Sequence, residues 1–374
     1  MRIAWLGLLV AVSGACGDDA SGGSDAAGDG TGSADAPGAP TRYVAYISGG
    51  ANIDWYDVDK TTGALSHISS VAAFRTGANF LAVHGLHLYA VTSGDRVGAY
   101  TIDPASAGLT FINDVGTGGT GVAHVSVDRA GAWVMTANYG SGHVDVVPVR
   151  GDGGLGTALS PILAGVKAHQ IITDASNKYV FVPCLGDDKV AQYQFDATTG
   201  ALTANTPAAL STANMAGPRH IAFAPDAKHA YLINEVGSTL SALAFDSSTG
   251  RLTELQTVST RATGAAGTNT CAEVVVHPNG KFVYGSNRGD NNIAVFAIDA
   301  TSGMLTEVDH TSTQGMTPRN FTIDPSGTLL YAANQSSNTV VPFKIDPATG
   351  RLTATASSVS VPSPQFVGIV ALPL

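Results

Sequence analysis

The sequence predicts an all-β protein, a seven-bladed β-propeller whose four-stranded blades are closed by pairing the N-terminal and C-terminal strands in one blade. Three observations predict this fold. A frame of apolar strands repeats every 45 to 53 residues, which is the length of one propeller blade. The frame is incomplete at both ends of the chain. No stretch shows the sustained 3.6-residue period of a helical repeat protein.

Each complete unit begins with an apolar first strand and a turn such as Asp-Pro-Ser-Gly, followed by a second strand that ends in Asn. A polar turn then leads to a third strand that ends in Asp, and Thr-Gly-x-Leu opens the fourth. The third strands end in YQFDATTGAL, LAFDSSTGRL, FAIDATSGML and FKIDPATGRL. The first strands are predicted to begin near Asn79, His124, His169, His220, Glu273, Asn320 and Phe366.

The incomplete units at the two chain ends complement each other. Residues 366–372 supply only a first strand, and residues 43–48, 54–59 and 64 onward supply the other three. Joined, they make a seventh blade and leave no terminal blade unpaired. The propeller is therefore predicted to span residues 42–374.

The N-terminal segment is predicted to direct export. Residues 1–15 read as a signal peptide, with Arg2 followed by an apolar run at 3–12 that is too short to span a membrane. Cys16 follows small residues as in a bacterial lipobox, although Ser13 stands where Leu is usual, and ordinary signal-peptidase cleavage is the alternative. Residues 16–41 form an acidic Gly/Ser/Ala/Asp tether. We expect a periplasmic or outer-membrane-anchored lipoprotein that meets the membrane only through its lipid.

The composition excludes several classes of protein. The chain has 19 Lys and Arg against 29 Asp and Glu, a net charge of −10, and no basic run, which argues against nucleic-acid binding. It lacks phosphate-binding glycine motifs and metal-ligand spacings, so no cofactor and no metal are expected. A monomer is expected. Cys184 and Cys271 are predicted to be free, because an intervening blade separates them by more than the roughly 7 Å that a disulfide tolerates.

Variable polar residues are predicted to gather on one face of the disc. Because first and second strands are antiparallel, the start of each first strand and the end of each second strand meet at one opening of the central channel, here called the mouth. The stretches NEVGSTL and NRGDNNI share one frame but place Glu235 and Arg288 at matched positions, and Arg219 begins a first strand nearby. Further candidate binding residues at these positions are His220, Asn138, Asn234, Asn287, Glu273, Arg319 and Gln335.

A purely structural interpretation exists for several of these residues. Asn at a strand end caps turns and tolerates the left-handed conformation, and His220 can bond a neighbouring carbonyl. Arg219 and Glu235 can form a structural ion pair.

Four segments carry a resemblance to a known family. They are HVSVDRAGAWVMTANYGSGHVDVVPV, GPRHIAFAPDAKHAYLINEVGSTL, AEVVVHPNGKFVYGSNRGDNNIAVFAID and PRNFTIDPSGTLLYAANQSSNTVVPFKID. The sequence resembles the lactonase family of seven-bladed propellers, which includes bacterial 6-phosphogluconolactonase and fungal carboxy-cis,cis-muconate cyclase. The resemblance implies a catalytic set of His169, Arg219, Glu235 and Arg288. The chain departs from the family at Lys167, where a second His is usual, at Cys184-Leu185-Gly186 and at 91–93.

The resemblance implies an exported hydrolase that opens a small lactone, with a lactone or carboxylate as its ligand. Two arginines suit an oxyanion and the carboxylate product. His169 is preferred as acid and base, with Glu235 as its orienting partner, because two cations lower the pKa of Glu235. A phosphorylated sugar lactone is cytosolic, so another substrate is expected. The alternatives are a non-catalytic small-anion or protein-binding propeller and a muconate-cyclase-like lactonising enzyme.

Overall fold

The computed structural model describes residues 41–75, 77–355 and 358–373 and confirms the seven-bladed propeller. Strand β1 begins at Thr41, one residue before the predicted start of the domain. The signal peptide, Cys16 and the rest of the tether lie outside the described residues. No helix in the described ranges has the length and apolar character needed to cross a membrane.

The strands follow the chain blade by blade. Blade 1 contains β1 (Thr41–Gly49), β2 (Asn52–Val58) and β3 (Leu65–Ala72), with β29 (Pro364–Pro373) from the other chain end. Blade 2 contains β4 (Ala78–His84), β5 (His87–Thr92), β6 (Arg96–Ile102) and β7 (Leu109–Gly116). Blade 3 contains β8 (Val122–Val127), β9 (Trp133–Asn138), β10 (His143–Pro148) and β11 (Ile162–Leu163).

The remaining four blades repeat this order. Blade 4 contains β12 (Ile172–Thr173), β13 (Tyr179–Cys184), β14 (Lys189–Asp196) and β15 (Ala201–Ser211), with a short 3-10 helix at Leu185–Asp187. Blade 5 contains β16 (Pro218–Phe223), β17 (His229–Asn234), β18 (Thr239–Asp246) and β19 (Arg251–Ser259). Blade 6 contains β20 (Cys271–Val276), β21 (Phe282–Asn287), β22 (Asn292–Ile298) and β23 (Leu305–Ser312). Blade 7 contains β24 (Pro318–Ile323), β25 (Leu329–Asn334), β26 (Thr339–Ile345), β27 (Leu352–Ala354) and β28 (Val359–Ser360).

The two chain ends close the disc as predicted. Blade 1 has the strand order β29-β1-β2-β3, with β29 innermost and antiparallel to β1. The register pairs Thr41 with Pro373 and Gly49 with Pro364. This ladder therefore joins the first described strand of the chain to the last, and the closed ring gives each described blade two neighbours.

Tyrosines join neighbouring blades. The buried hydroxyls of Tyr231 and Tyr284 donate to the carbonyls of Gly303 and Gly350, at 3.0 and 2.9 Å. In each case a second strand reaches the turn between the third and fourth strands of the next blade. Both glycines have φ near +70°, a backbone conformation that a side chain would strain. These bonds satisfy the hydroxyl inside the apolar layer between blades, so burying the ring incurs no polar penalty.

A β-bulge interrupts the first strand of every blade at the mouth. In blade 5, Pro218 pairs with Asn234 and His220 pairs with Ile233, so Arg219 is the extra residue. Register shifts of the same kind occur in the other six blades. A bulge redirects the side chain of its extra residue. The first strands thus present their bulged residue toward the mouth and the following residue toward the axis.

The two cysteines within the described residues are buried and free, as predicted. Cys184 ends β13 and Cys271 begins β20, two blades further along the ring. Burial raises the pKa of both thiols to about 12. Both therefore remain protonated and unreactive at neutral pH.

Candidate active site

A ring of seven equivalent side chains surrounds the axis just inside the mouth. Each follows the bulged residue of its first strand, and all seven are almost completely buried. Several are joined to the next blade: Gln170 Oε1 accepts the backbone N–H of Ile221 at 2.7 Å, and Asn320 Oδ1 accepts that of Val367 at 2.9 Å. The ring consists of Phe80, His124, Gln170, His220, Glu273, Asn320 and Phe366. We call it the axis ring.

His169 belongs to the bulged position, not to the axis ring. Ala168 pairs with Cys184 as Pro218 pairs with Asn234, so His169 is equivalent to Arg219 and Gln170 is equivalent to His220. The sequence repeat had aligned His169 with His220, one residue out of register. The first strand of blade 4 is also shorter than predicted and begins at Ile172. Pro183 contributes to this irregularity because it has no N–H for the ladder.

A repeated hydrogen bond fixes the residues that follow the second strands. Glu235 donates its backbone N–H to Gly217 O at 2.7 Å, and Arg288 donates to Thr270 O at 2.8 Å. Gln335 and Tyr139 make equivalent bonds. This bond ties the end of each second strand to the loop that precedes the first strand. Bulged residues and strand-end residues from blades 3 to 7 therefore meet at one mouth.

Glu235 lies between two arginines at the mouth. Its Oε2 is 2.9 Å from Arg219 Nε, and its Oε1 is 2.8 Å from Arg288 Nη2. The Arg219 side chain is 3% exposed, whereas those of Arg288 and Glu235 are 15% and 20% exposed. Burial alone would raise the pKa of Glu235, but Arg219 and Arg288 outweigh it and hold the pKa below its usual value. The array is charged and open to solvent, so it is not a sealed structural pair.

Backbone carbonyl groups fix the orientation of the Arg219 and Arg288 guanidinium groups. Arg219 Nη1 donates to the carbonyl of Ala272 at 2.5 Å, and Arg288 Nη2 donates to the carbonyl of Cys271 at 2.9 Å. Both acceptors belong to blade 6, so this blade orients arginines from two blades. Burial, with the charge of Arg319, lowers the pKa of Arg219, yet a guanidinium stays protonated at neutral pH.

Arg319 adds a third cation to the mouth. It is the bulged residue of blade 7, and its charge interacts with those of Arg288, Glu235 and Glu273. Burial and Arg288 lower the pKa of Arg319. Among the described residues Arg319 forms no hydrogen bond or ion pair. Three guanidinium groups thus lie at this mouth, and Glu235 pairs with two of them. The excess positive charge favours an anionic ligand.

His169 completes the cluster as a neutral imidazole. It is 6% exposed, and burial together with the charge of Arg219 lowers its pKa well below the usual range. Its ring lies edge-on to Tyr139 at 5.6 Å and to His220 at 5.1 Å between centroids. Its Nδ1 is buried without a hydrogen-bond partner. A neutral imidazole can accept a proton at neutral pH.

His220 and Glu273 form a floor beneath the mouth. His220 Nδ1 lies 2.8 Å from Glu273 Oε1, and Asn320 Nδ2 donates to Glu273 Oε2 at 2.6 Å. Below this floor a narrow cavity of about 80 Å³ follows the axis; its walls include Gln170, Glu273 and Asn320 but none of the three arginines. His220 and Glu273 are buried and bonded to each other, so they lie deeper in the channel than the arginines and stabilise the cluster.

The asparagines predicted to bind substrate lie inside the blades. Asn138 Nδ2 donates to Asp145 Oδ2 at 2.7 Å, Asn234 Nδ2 donates to Ser241 Oγ at 3.1 Å, and Asn287 Nδ2 donates to Thr260 O at 2.7 Å. All three are 0 to 1% exposed. The structure does not bring these amides to the mouth. They stabilise the turn after each second strand, and the next residue in the chain lies at the mouth. Gln335, by contrast, is half-buried at the strand-end position.

Sequence reasoning missed the roles of Tyr139 and Gln170. Tyr139 contacts His169 at the mouth, and Gln170 occupies the axis ring in blade 4. The signal for Gln170 was present: Ala-His-Gln at 168–170 matches Pro-Arg-His at 218–220 when the small or cyclic first residue is aligned.

The fold and the mouth define a class of protein: a seven-bladed propeller with a cationic site and an adjacent neutral histidine. The family described as "Lactonase, 7-bladed beta-propeller" matches residues 38–369. The chain therefore belongs to this lactonase family.

Known relatives cover between about two thirds and nine tenths of the chain. The 6-phosphogluconolactonase of Bacillus subtilis (strain 168) is 35% identical over 87% of this chain and 97% of that protein. The 6-phosphogluconolactonase of Pectobacterium carotovorum (strain PC1) is 32% identical over 64% of this chain and 71% of that protein. The solved structure of a periplasmic gluconolactonase from Pseudomonas aeruginosa superposes with a TM-score of 0.83, at 28% identity over 89% of this chain and all of that one.

Proposed function

We propose that this protein hydrolyses a lactone at the mouth, with His169 as acid and base and Arg219, Glu235, Arg288 and Arg319 as the charged cluster around the carbonyl. One observation carries the proposal. A neutral histidine lies close to arginines whose total positive charge is larger than the negative charge of Glu235, the carboxylate that pairs with two of them. This combination supplies a proton acceptor and oxyanion stabilisation in the same place.

The reaction divides naturally among these groups. A water molecule attacks the lactone carbonyl while His169 accepts its proton. The carbonyl oxygen becomes an oxyanion next to Arg288 and Arg319, whose charges are already in position and need no reorganisation. The ring C–O bond then breaks, and His169 returns the proton to the departing alkoxide. The product is a hydroxy acid, which ionises and releases one proton to solvent.

Glu235 acts on the arginines in this scheme and not on the water. Both of its carboxylate oxygens are paired with guanidinium groups, whose charges also lower its pKa. It neutralises part of the charge of Arg219 and Arg288 and holds the two guanidinium groups in one arrangement. The carboxylate product then competes with Glu235 for the same donors, which favours a ligand with at least one negative charge.

The proposal includes export. Residues 1–15 carry the features of a signal peptide, and Cys16 is positioned for lipidation. A similar structure belongs to a periplasmic gluconolactonase, while the relatives named 6-phosphogluconolactonase act on a phosphorylated lactone. Mass spectrometry of the mature N-terminus tests this part. A lipidated Cys16 is expected; an unmodified thiol excludes the lipid, and an intact Met1 excludes export.

A panel of lactones followed by pH-stat tests the activity, because each turnover releases one proton. The mature protein should hydrolyse at least one lactone, and His169→Gln should slow hydrolysis by about 10²- to 10⁴-fold. Arg351→Ala, at an exposed position outside the mouth, is the control and should leave the rate unchanged. Absence of hydrolysis with every lactone, or an unaffected His169→Gln variant, would overturn the proposal.

A further inference from the structure

One side of the mouth is uncharged and has no part in the proposed reaction. Each blade contributes a bulged residue to the mouth, and those of blades 4 and 7 are His169 and Arg319. In blades 1 and 2 the bulged residues are Gln365 and Asn79. Gln335, the strand-end residue of blade 7, adds a third amide side chain. We call Asn79, Gln335 and Gln365 the amide arc.

Contacts in the axis ring show that the blades of the amide arc are neighbours. The rings of Phe366 in blade 1 and Phe80 in blade 2 pack together, with centroids 4.6 Å apart. These two residues directly follow the arc amides of the same blades. Blade 7 adjoins blade 1 in the same way, because Asn320 Oδ1 accepts the N–H of Val367 at 2.9 Å. The arc therefore spans three consecutive blades, and blades 7 and 1 are the two farthest along the ring from His169 in blade 4.

The amides of the arc have unused hydrogen-bonding groups. Within the described part of the chain, the side chains of Gln335 and Gln365 form no hydrogen bond. Asn79 Nδ2 donates to the carbonyl of Val122 at 3.3 Å, and its Oδ1 has no partner among the same residues. All three side chains are half-buried. A ligand at the mouth can therefore bond to amides that the fold itself does not need.

Asn79 defines the kind of ligand group that fits. Its Nδ2 is turned toward a backbone carbonyl, so the end that remains is an oxygen, which only accepts hydrogen bonds. The ligand group must therefore donate. A hydroxyl both donates and accepts, so it suits this oxygen and either end of a glutamine amide. An ionised carboxylate or phosphate has only acceptors to offer, and a methylene group would remove water from the amides without replacing its bonds.

Charged side chains in the loops of these blades are engaged elsewhere. Arg75, in the loop before β4, lies 3.7 Å from Asp114 of the outer strand β7, which also pairs with Arg96. Asp95, after β5, accepts the backbone N–H of Gly121. The loops of blade 1 on this face, residues 50–51 and 361–363, contain no charged residue. The amide arc thus differs in chemistry from the arginines of blades 5 to 7.

We propose that Asn79 and Gln365, together with Gln335, are specificity-determining residues that bind hydroxyl groups on the lactone ring. This inference rests on the proposed function and adds how the site distinguishes one lactone from another. When the carbonyl lies between His169 and the arginines, the far carbons of the ring extend toward blades 1 and 2. Hydroxyl groups on those carbons replace the water that hydrates the amides.

The test compares two six-membered lactones, glucono-δ-lactone with ring hydroxyls and δ-valerolactone without them, by pH-stat with spontaneous hydrolysis subtracted. Gln365→Met keeps the length of the side chain and removes its amide, and no hydrogen bond within the described residues is lost. Its matched control is Gln194→Met, at an exposed glutamine near the opposite end of β14. Wild type should have the higher kcat/KM for the hydroxylated lactone. Gln365→Met should reduce this preference about threefold to tenfold, and Gln194→Met should leave it unchanged.

Calorimetric binding of the ring-opened acids, gluconate and 5-hydroxypentanoate, separates failure of this inference from failure of the proposed function. Hydrolysis with no preference for the hydroxylated lactone, or with a preference that Gln365→Met does not change, overturns the inference and leaves the activity. Absent hydrolysis of every lactone, with tighter binding of gluconate that Gln365→Met weakens, overturns the activity and supports the amide arc. Absent hydrolysis with equal binding of the two acids, or with binding that Gln365→Met does not change, overturns both.

Discussion

Nδ1 of His220 lies 2.8 Å from Oε1 of Glu273 at the centre of the propeller, where both side chains are buried. Glu273 also accepts hydrogen bonds from Asn320 and from the backbone N–H of Val274. Burial raises the pKa of this carboxyl to about 7, although Arg219 and these hydrogen bonds act in the opposite direction. The folded protein therefore binds this proton more tightly than the unfolded chain does.

This proton makes stability depend on pH. An unfolded Glu titrates near pH 4.3, so the stabilisation is complete below that pH, decreases as pH rises toward 7, and is absent above it. Glu273→Gln should remove this decrease, which is on the order of 2–3 kcal/mol in the free energy of unfolding. Denaturant unfolding at pH 5 and pH 8 measures it. Glu254→Gln, an exposed substitution, is the control, and equal pH slopes for wild type and Glu273→Gln would contradict the expectation.

Arg288→Ala should weaken anion binding at the mouth. The substitution removes one donor to the ligand and leaves Glu235 with Arg219 as its remaining ion-pair partner. Charged hydrogen bonds contribute about 1.5–3 kcal/mol, so the Kd for a hydroxy acid should rise roughly ten- to hundredfold. Isothermal titration calorimetry measures the change. An unchanged Kd would mean that the anion does not contact Arg288.

Glu235→Gln should reduce turnover more than binding. The neutral amide keeps the size of the side chain but no longer offsets the charges of Arg219 and Arg288, whose arrangement matters most when the oxyanion forms. We expect kcat to fall about ten- to hundredfold with KM changed less than threefold. Steady-state kinetics at neutral pH decide it. The reverse result, an unchanged kcat with a raised KM, would assign Glu235 to ground-state binding alone.

The pH profile of kcat/KM should reveal His169 through its lowered pKa. A base of ordinary histidine pKa loses activity as pH falls below about 6.5. Burial and Arg219 keep His169 neutral to lower pH, so the acidic limb should lie below that of an ordinary histidine. A limb at 6.5 or above would show that another group accepts the proton.

Closure of blade 1 should dominate resistance to unfolding. Removing residues 364–374 deletes the described strand β29 and exposes the edge of β1 together with apolar residues such as Ile47, which is 0% exposed. We expect the melting temperature to fall by at least about 10 °C, or the protein not to fold. Deletion of residues 1–40, which precede the propeller, should leave it unchanged. Equal stability of the two deletions would disprove the structural importance of the closure.

The fold was predictable because the sequence repeats. Strand spacing and turn residues recur in each blade, and the incomplete units at the two chain ends show where the ring closes. The same frame predicted that Glu235, Arg288 and Arg219 meet, since equivalent positions of a ring converge on its axis. These parts of the structure follow from periodicity alone.

The bulge was not predictable from the repeat alone. One extra residue in the first strand changes which of two neighbours faces the mouth, and the alternation of apolar residues does not reveal where it lies. For this reason His169 was aligned with His220 instead of Arg219. The three asparagines predicted to bind substrate lie buried within the blades. In a single sequence, a residue that caps a buried turn and one that meets a ligand look alike.

The direction of β1 has a consequence for how the molecule would stand on a membrane. Gly49, paired with Pro364, marks the end of β1 at the mouth, and Thr41, paired with Pro373, marks the other end. Thr41, the first described residue, therefore lies on the face opposite the arginines. If Cys16 carries a lipid, as we propose, the lipid joins the propeller from that face. The mouth then does not need to face the bilayer, and a substrate can reach it from the surrounding fluid.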